Sequence, residues 1–294
     1  MIALLSLITV LSWGTWIPLA QAVRGVPQRT RTLYATVGNL LFAGTALAVA
    51  GGHLTIGWRG FWLPLAGGVV WTLGNYCAFQ AAEAIGLARA AGSWTPLNIV
   101  VAFAWGAALF GELDRVSGAR LALLAGALLL VVAGVLVIVR SQDTQPADHE
   151  AGQQRRGLMW AGAAGVLWGS YFVPAQWAGV SPQVSNFPLA VGMLAGGLGL
   201  VLSDGAPVRL HARGVTAQLA AGLLFGIGNL ALLGLVSRVG TGVGFTIAQL
   251  SLLINASIGI WLFKVPPPGS VAAKLAMAGI VIAGSGGAVI GALR

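Results

Sequence analysis

"WGTWIPLAQ" runs from Trp13 to Gln21, and "WGSYFVPAQ" runs from Trp168 to Gln176. The offset is 168 − 13 = 155 residues in a chain of 294. Trp, Gly, Ala and Gln coincide, Thr15 faces Ser170, and aromatic Trp16 faces aromatic Tyr171. A second matched pair follows: "GNYCAFQAAEAIG" from Gly74 to Gly86 and "GNLALLGLVSRVG" from Gly228 to Gly240, at an offset of 228 − 74 = 154. Four residues before each Asn stands an aromatic, Trp71 in one half and Phe225 in the other. Two separate motifs at nearly one offset make coincidence a poor explanation. The chain reads as a duplication.

Composition says where the two copies sit. The chain is 57% hydrophobic and only 8% charged, whereas soluble domains carry roughly a quarter charged residues. A bilayer core needs about 20 apolar residues per spanning helix. Ten windows meet that need: 2–23, 33–52, 60–82, 90–111, 121–139, 157–178, 187–203, 215–237, 239–263 and 271–292, with only Lys274 charged inside any of them. The junctions between the third and fourth windows and between the eighth and ninth are very short. The first window lacks a basic leading segment and belongs to the repeat, so it is expected to stay in the mature fold.

The net charge of +9 suggests nucleic acid, but its distribution does not. With ten spans, alternate connections collect Arg24, Arg29, Arg31, Arg89, Arg140, Arg155, Arg156, Arg209, Arg213, Lys264 and Lys274 on one side. The other side collects Arg59, Arg115, Arg120, Arg238 and Arg294. Basic loops stay in the cytoplasm, so both termini are expected outside. The partners implied are a lipid bilayer and a small solute, with no nucleic acid. The single Cys77 rules out an internal disulfide and reads as packing filler. His53, His149 and His211 lie in separate connections, so no metal and no cofactor is expected.

The one long hydrophilic stretch, "RSQDTQPADHEAGQQRR" from Arg140 to Arg156, reads as a solvated linker. It divides the chain into a first five-helix repeat (1–139), the linker (140–156) and a second five-helix repeat (157–294). Five is odd, so the second copy enters the membrane from the opposite face. The expected fold is an all-α integral membrane protein, with ten transmembrane helices in two inverted five-helix repeats. Secondary transporters commonly have this architecture, because two bundles of opposite orientation can rock about a central site.

Within the repeated motif, Pro18 deprives the Gly14 carbonyl of its helical donor, and Pro174 does the same to Ser170. Gly14 and Gln21 share a helix face, as do Gly169 and Gln176. One reading makes the first helix of each half a flexible cavity wall; the other makes it a kinked packing helix. Candidate substrate ligands are Trp71, Asn75, Trp94, Asn98, Asn229 and Gln249, with Gly14, Pro18, Gln21, Ser170, Pro174 and Gln176 as cavity or hinge residues. Amides pair with the hydroxyls of a neutral polyol, and flat rings cover its apolar C–H faces; no Arg or Lys sits mid-span for an anion. The same amides also serve as glue between membrane helices. Of the carboxylates, Glu83 closes the third window and is the candidate for coupling, while Glu112 and Asp114 read as solvated. The G-x-x-x-G runs Gly192/Gly196 and Gly222/Gly226 fit internal packing better than dimerisation, although a homodimer stays open. No H-E-x-x-H, paired intramembrane Asp or activated Ser/His arrangement points to an enzyme, and "GTGVG" (Gly240 to Gly244) has no strand before it to make a nucleotide loop.

The ten spans resemble the drug/metabolite transporter superfamily. Within it, "GNYCAFQAAEAIGLARA", "GIGNLALLGLVSRVGTGVGFTIAQLSLLINASIGIWLF" and the repeated Trp-Gly motif resemble the glucose/ribose porter (sugar uptake) family. Gly228, Asn229, Val239, Gly240, Gln249, Leu250 and Gly259 carry the likeness. It implies a bacterial cytoplasmic-membrane permease for a monosaccharide, in some relatives proton-linked. Relatives continue after the ninth helix with a Glu among lysines; this chain has Lys264, Val265, Pro266, Pro267 and Pro268 instead. The alternative within the superfamily is an exporter of amino acids or amphipathic drugs.

Overall fold

A computed structural model describes residues 1–23, 25–51, 57–85, 87–114, 116–141, 151–205, 208–264 and 266–292. His53, His149, Arg24, Arg115, Val265, Arg294, the Arg89 side chain and linker residues 142–150 lie outside what it describes. Helices form α1 (Ile2–Gln21), α2 (Gln28–Val49), α3 (Trp58–Ile85), α4 (Leu87–Phe110), α5 (Gly118–Ser141) and α6 (Ala151–Ser170). They continue with α7 (Val173–Trp177), α8 (Pro182–Asp204), α9 (Ala212–Val239), α10 (Thr241–Gln249), α11 (Ser251–Trp261) and α12 (Val271–Ala292). Each expected window is helical, the sixth being α6 with α7 and the ninth α10 with α11. Backbone groups in hydrocarbon must bond within their own segment, and helices do this at any sequence.

Eight of these segments are long and apolar enough to cross a membrane. The segments α3 and α6 are not among them. Both are rich in Gly and Trp and pack on each other, and α6 opens with the exposed polar run Gln153, Gln154, Arg155 and Arg156. The two very short junctions are nearly absent: α9 passes into α10 at Gly240, with φ +92, which suits glycine. Helices α5 and α6 extend into the expected linker, through Ser141 and from Ala151.

Breaks in the helices differ from expectation. Pro18 lies in the last turn of α1, which stays helical to Gln21 although the Gly14 carbonyl loses its helical amide donor. Pro174 stands at the start of α7, after a turn at Tyr171–Phe172 that interrupts the sixth span. The ninth span breaks at Leu250 with no proline at all. There Leu250 N–H donates to Ile247 C=O at 3.0 Å and Leu253 N–H to Leu250 C=O at 2.9 Å, a tightened i→i+3 turn.

Packing is close because glycines meet rings and carbonyls. A methyl on Gly74 would lie 2.7 Å from Trp168 Cδ1, and one on Gly228 2.5 Å from Trp13 Cδ1. Gly192 and Gly222 of the two G-x-x-x-G runs face the Leu65 and Ala35 carbonyls, so these runs do serve internal packing. Buried Cys77 packs among Ala78 and Ala164, as filler should. At one end of the bundle Arg29 donates to Leu200 C=O at 3.3 Å, and Ile85 in the last turn of α3 meets Gly157 of α6. At the other end the Arg59 guanidinium lies 5.5 Å from the Trp177 ring centre, and Leu5 of α1 lies beside Gly234 of α9.

Candidate functional site

The middle of the molecule is a cluster of rings. Helix α1 supplies Trp13 and Trp16, α3 Trp71, α9 Phe225, α10 Phe245, and the turn after α6 supplies Tyr171 and Phe172. Trp71 and Phe225 meet with ring centres 4.9 Å apart, and Trp16 meets Phe225 at 5.2 Å. Trp13 stacks on Phe225 at 5.9 Å, and Phe172 stacks on Phe245 at 4.8 Å. Such pairs are each worth about 0.5–1.5 kcal/mol beyond their area burial. Trp71 is buried, while Trp16 is only half-buried. Trp13, Trp16, Tyr171, Phe172, Phe225 and Phe245 are absent from the expected ligands. Four of the six lie inside the repeated Trp-Gly motif, which was itself the available signal.

The amides behave differently from one another. Asn75 Nδ2 donates to Thr32 Oγ1 at 2.8 Å, tying α3 to α2. Asn229 Nδ2 donates to Asn186 Oδ1 at 2.8 Å, and Asn229 Oδ1 accepts from the Tyr171 hydroxyl at 2.8 Å. Both Asn are buried; Asn229 engages both its amide oxygen and its amide nitrogen inside the protein, Asn75 its nitrogen. Sharing a helix with Trp71 and Phe225 does not give them the same partners: a buried amide in an apolar medium takes whatever polar group the next helix offers. Asn98 is the contrary case, with a buried Oδ1 that has no partner. Gln249 is 9% exposed and ends α10 at the Leu250 break. Trp94 stands outside the central cluster, edge-on to Trp168 at 5.5 Å; Trp168 in turn donates its Nε1–H to the Trp71 carbonyl at 3.2 Å.

Among the hinge candidates, Gly14 packs against the Ser251 carbonyl and Ile254 of α11; its sequence counterpart Gly169 packs against the Asn98 carbonyl of α4. Gln21 is exposed, whereas Gln176 Oε1 accepts from Thr241 Oγ1 at 2.8 Å. Ser170 Oγ accepts from Trp105 Nε1 at 2.8 Å and donates to Val166 C=O at 2.7 Å. Glu83 is exposed in the last turn of α3. Glu112 corrects an expectation. It is half-buried, and its carboxylate accepts from the Thr241 N–H and, at 3.3 Å, from the Gly242 N–H. The first amides of a helix have no partner within it, so α10 takes one from this loop.

Comparisons with known proteins bear on the family and the fold. A family profile described as "Sugar transport protein" matches residues 4–293. A "Putative sugar uptake protein" of Lactiplantibacillus plantarum is 26% identical over 265 residues, covering 88% of each chain. One of Listeria monocytogenes is 26% identical over 291 residues, covering 99% of this chain and 98% of its own. A crystal structure of a protein with 20% identity superposes with a TM-score of 0.74 over 99% of this chain and 97% of that one, which shows a shared fold. Ten helical segments, a ring-filled centre and a profile match over nearly the whole chain lead to one statement: this multi-pass membrane protein belongs to the sugar transport protein family.

Proposed function

We propose that the chain is a permease moving a monosaccharide across the cytoplasmic membrane by alternating access between two inverted five-helix repeats, 1–139 and 157–294. Matched contacts support the repeat. Asn75 bonds to Thr32 as Asn229 bonds to Asn186, each 43 positions away, and Trp168 covers Gly74 as Trp13 covers Gly228. Inversion is supported by the ends: α1 begins beside the close of α9, and α6 begins beside the close of α3. Both termini then lie outside, by the count of arginines and lysines.

The observation that carries the reading is the meeting of Trp71 with Phe225, counterparts 154 positions apart, at 4.9 Å. Counterparts touch only where two copies adjoin, and that is where a carrier places its substrate. Trp71, Trp16 and Phe225 form an apolar, flat-sided wall suited to the C–H faces of a sugar ring. The Asn98 and Gln249 side chains lie on α4 and α10 and supply polar groups for hydroxyls. Asn75 and Asn229 hold the two bundles in shape. With the rings in mutual contact, this conformation is one in which the sugar has no room until the halves part.

Proteoliposomes offered radiolabelled monosaccharides, then amino acids, then cationic dyes test the reading. Monosaccharide uptake is expected, with the Trp71→Ala variant losing at least about tenfold of it, the equivalent of one lost ring contact of about 1.4 kcal/mol. Uptake of amino acids or dyes alone, or full sugar uptake by Trp71→Ala, refutes it.

A further inference from the structure

We propose that Glu112 is a latch on one mouth of the pathway: its carboxylate ties α10 to the end of α4 and must release before the central rings part towards that end. The inference rests on the permease reading and deepens it. Helix α10 begins at Thr241, and its first amides point at the carboxylate, which is favoured there by charge and by the helix dipole. Two glycines make space for it. A methyl on Gly240 would lie 2.7 Å from Glu112 Oε2, and one on Gly106 would meet the same oxygen. Thr241 also donates its hydroxyl to Gln176, so α7 joins the tie.

What lies beneath gives the tie its meaning. Phe245 is four residues into α10 from Thr241, and Phe172 is four residues before Gln176. These two rings stack at 4.8 Å, so the polar tie and the stacked pair are successive layers between the same two segments. Gln249 comes four residues deeper along α10. Releasing Glu112 frees α10 from the end of α4 and leaves the Thr241–Gln176 hydrogen bond and the Phe172–Phe245 stack to part next, which opens the way to Gln249. The counterpart position, 112 + 154 = 266, is a proline within Lys264–Pro268, which holds no carboxylate. The latch therefore belongs to one mouth only.

The test uses full-length protein with Cys77→Ala and a reporter Gln249→Cys, labelled by a small membrane-impermeant cationic thiosulfonate. Labelling is followed on intact cells and on inside-out vesicles, without sugar. Adding Glu112→Ala is expected to raise the labelling rate about tenfold from one face only, the effect of losing one charge-assisted hydrogen bond. An unchanged rate, or a rise from both faces, overturns the latch. Should Glu112→Ala not reach the membrane, the pair Glu112→Cys and Thr241→Cys, oxidised to a disulfide, is expected to abolish uptake until reduced. A cross-linked protein that transports at the parental rate overturns it as well. Because labelling needs no substrate, a one-sided rise in the reporter variant, together with no monosaccharide uptake by the parental chain that keeps Gln249, keeps the latch and removes the permease reading.

Discussion

Replacing Asn229 by alanine should weaken the fold more than the matching change at Asn75. Asn229 is fully buried and makes two hydrogen bonds at 2.8 Å, one to Asn186 and one from the Tyr171 hydroxyl. Asn75 makes one, to Thr32, also at 2.8 Å. Polar pairs between membrane helices average about 0.6 kcal/mol and reach about 1.7. Asn229→Ala is therefore expected to cost about 1.2 to 3.4 kcal/mol, and Asn75→Ala about 0.6 to 1.7. The upper part of the larger range applies because the Tyr171 hydroxyl, on a residue 1% exposed, loses its Asn229 acceptor. Equilibrium unfolding in mixed micelles with rising dodecyl sulfate measures both. A double-mutant cycle of Asn229→Ala with Tyr171→Phe should give a coupling energy of about 0.6–1.7 kcal/mol. Equal costs for the two alanines and a coupling of zero would refute the reasoning. Lost sugar uptake at unchanged stability would go further and place the Asn229 amide on the pathway.

Gly74→Ala and Gly228→Ala should each cost about 1–3 kcal/mol in the same assay, because the new methyl meets a tryptophan edge that neighbours hold in place. Gly162→Ala is the control: nothing lies within 4 Å of its added methyl, so helix propensity alone should leave it neutral or slightly stabilising. With Cys77 replaced by alanine, a cysteine added at either terminus should react with an impermeant thiol reagent on intact cells. Protection of either terminus would reverse the expected orientation.

Most of the architecture was legible because hydrocarbon restricts the choices. An uncharged window of about 20 residues has few structures open to it, and the ten windows became helices with ends moved by a few residues. The Leu250 break was hidden because no proline or glycine marks it; it comes from i→i+3 bonds beside the contact of the Ser251 carbonyl with Gly14. Pro18 removes the amide that would serve the Gly14 carbonyl, yet α1 stays helical past it to Gln21.

The sequence by itself determined that the chain lies in a membrane, that its spans are helical, and that Trp-Gly and Gly-Asn are the motifs to follow. These depend on composition and spacing, which no partner can alter. Tertiary structure alone decided what each polar side chain touches. Asn75 and Asn229 were read beside Trp71 and Phe225 because they share helix faces with them, yet Thr32, Asn186 and Tyr171 hold their amides. Glu112 was read as a solvated loop residue, yet it holds the first amides of α10, 129 positions away. An unsatisfied polar atom inside a bundle bonds to the nearest group that can serve it, and packing of distant segments sets which group that is.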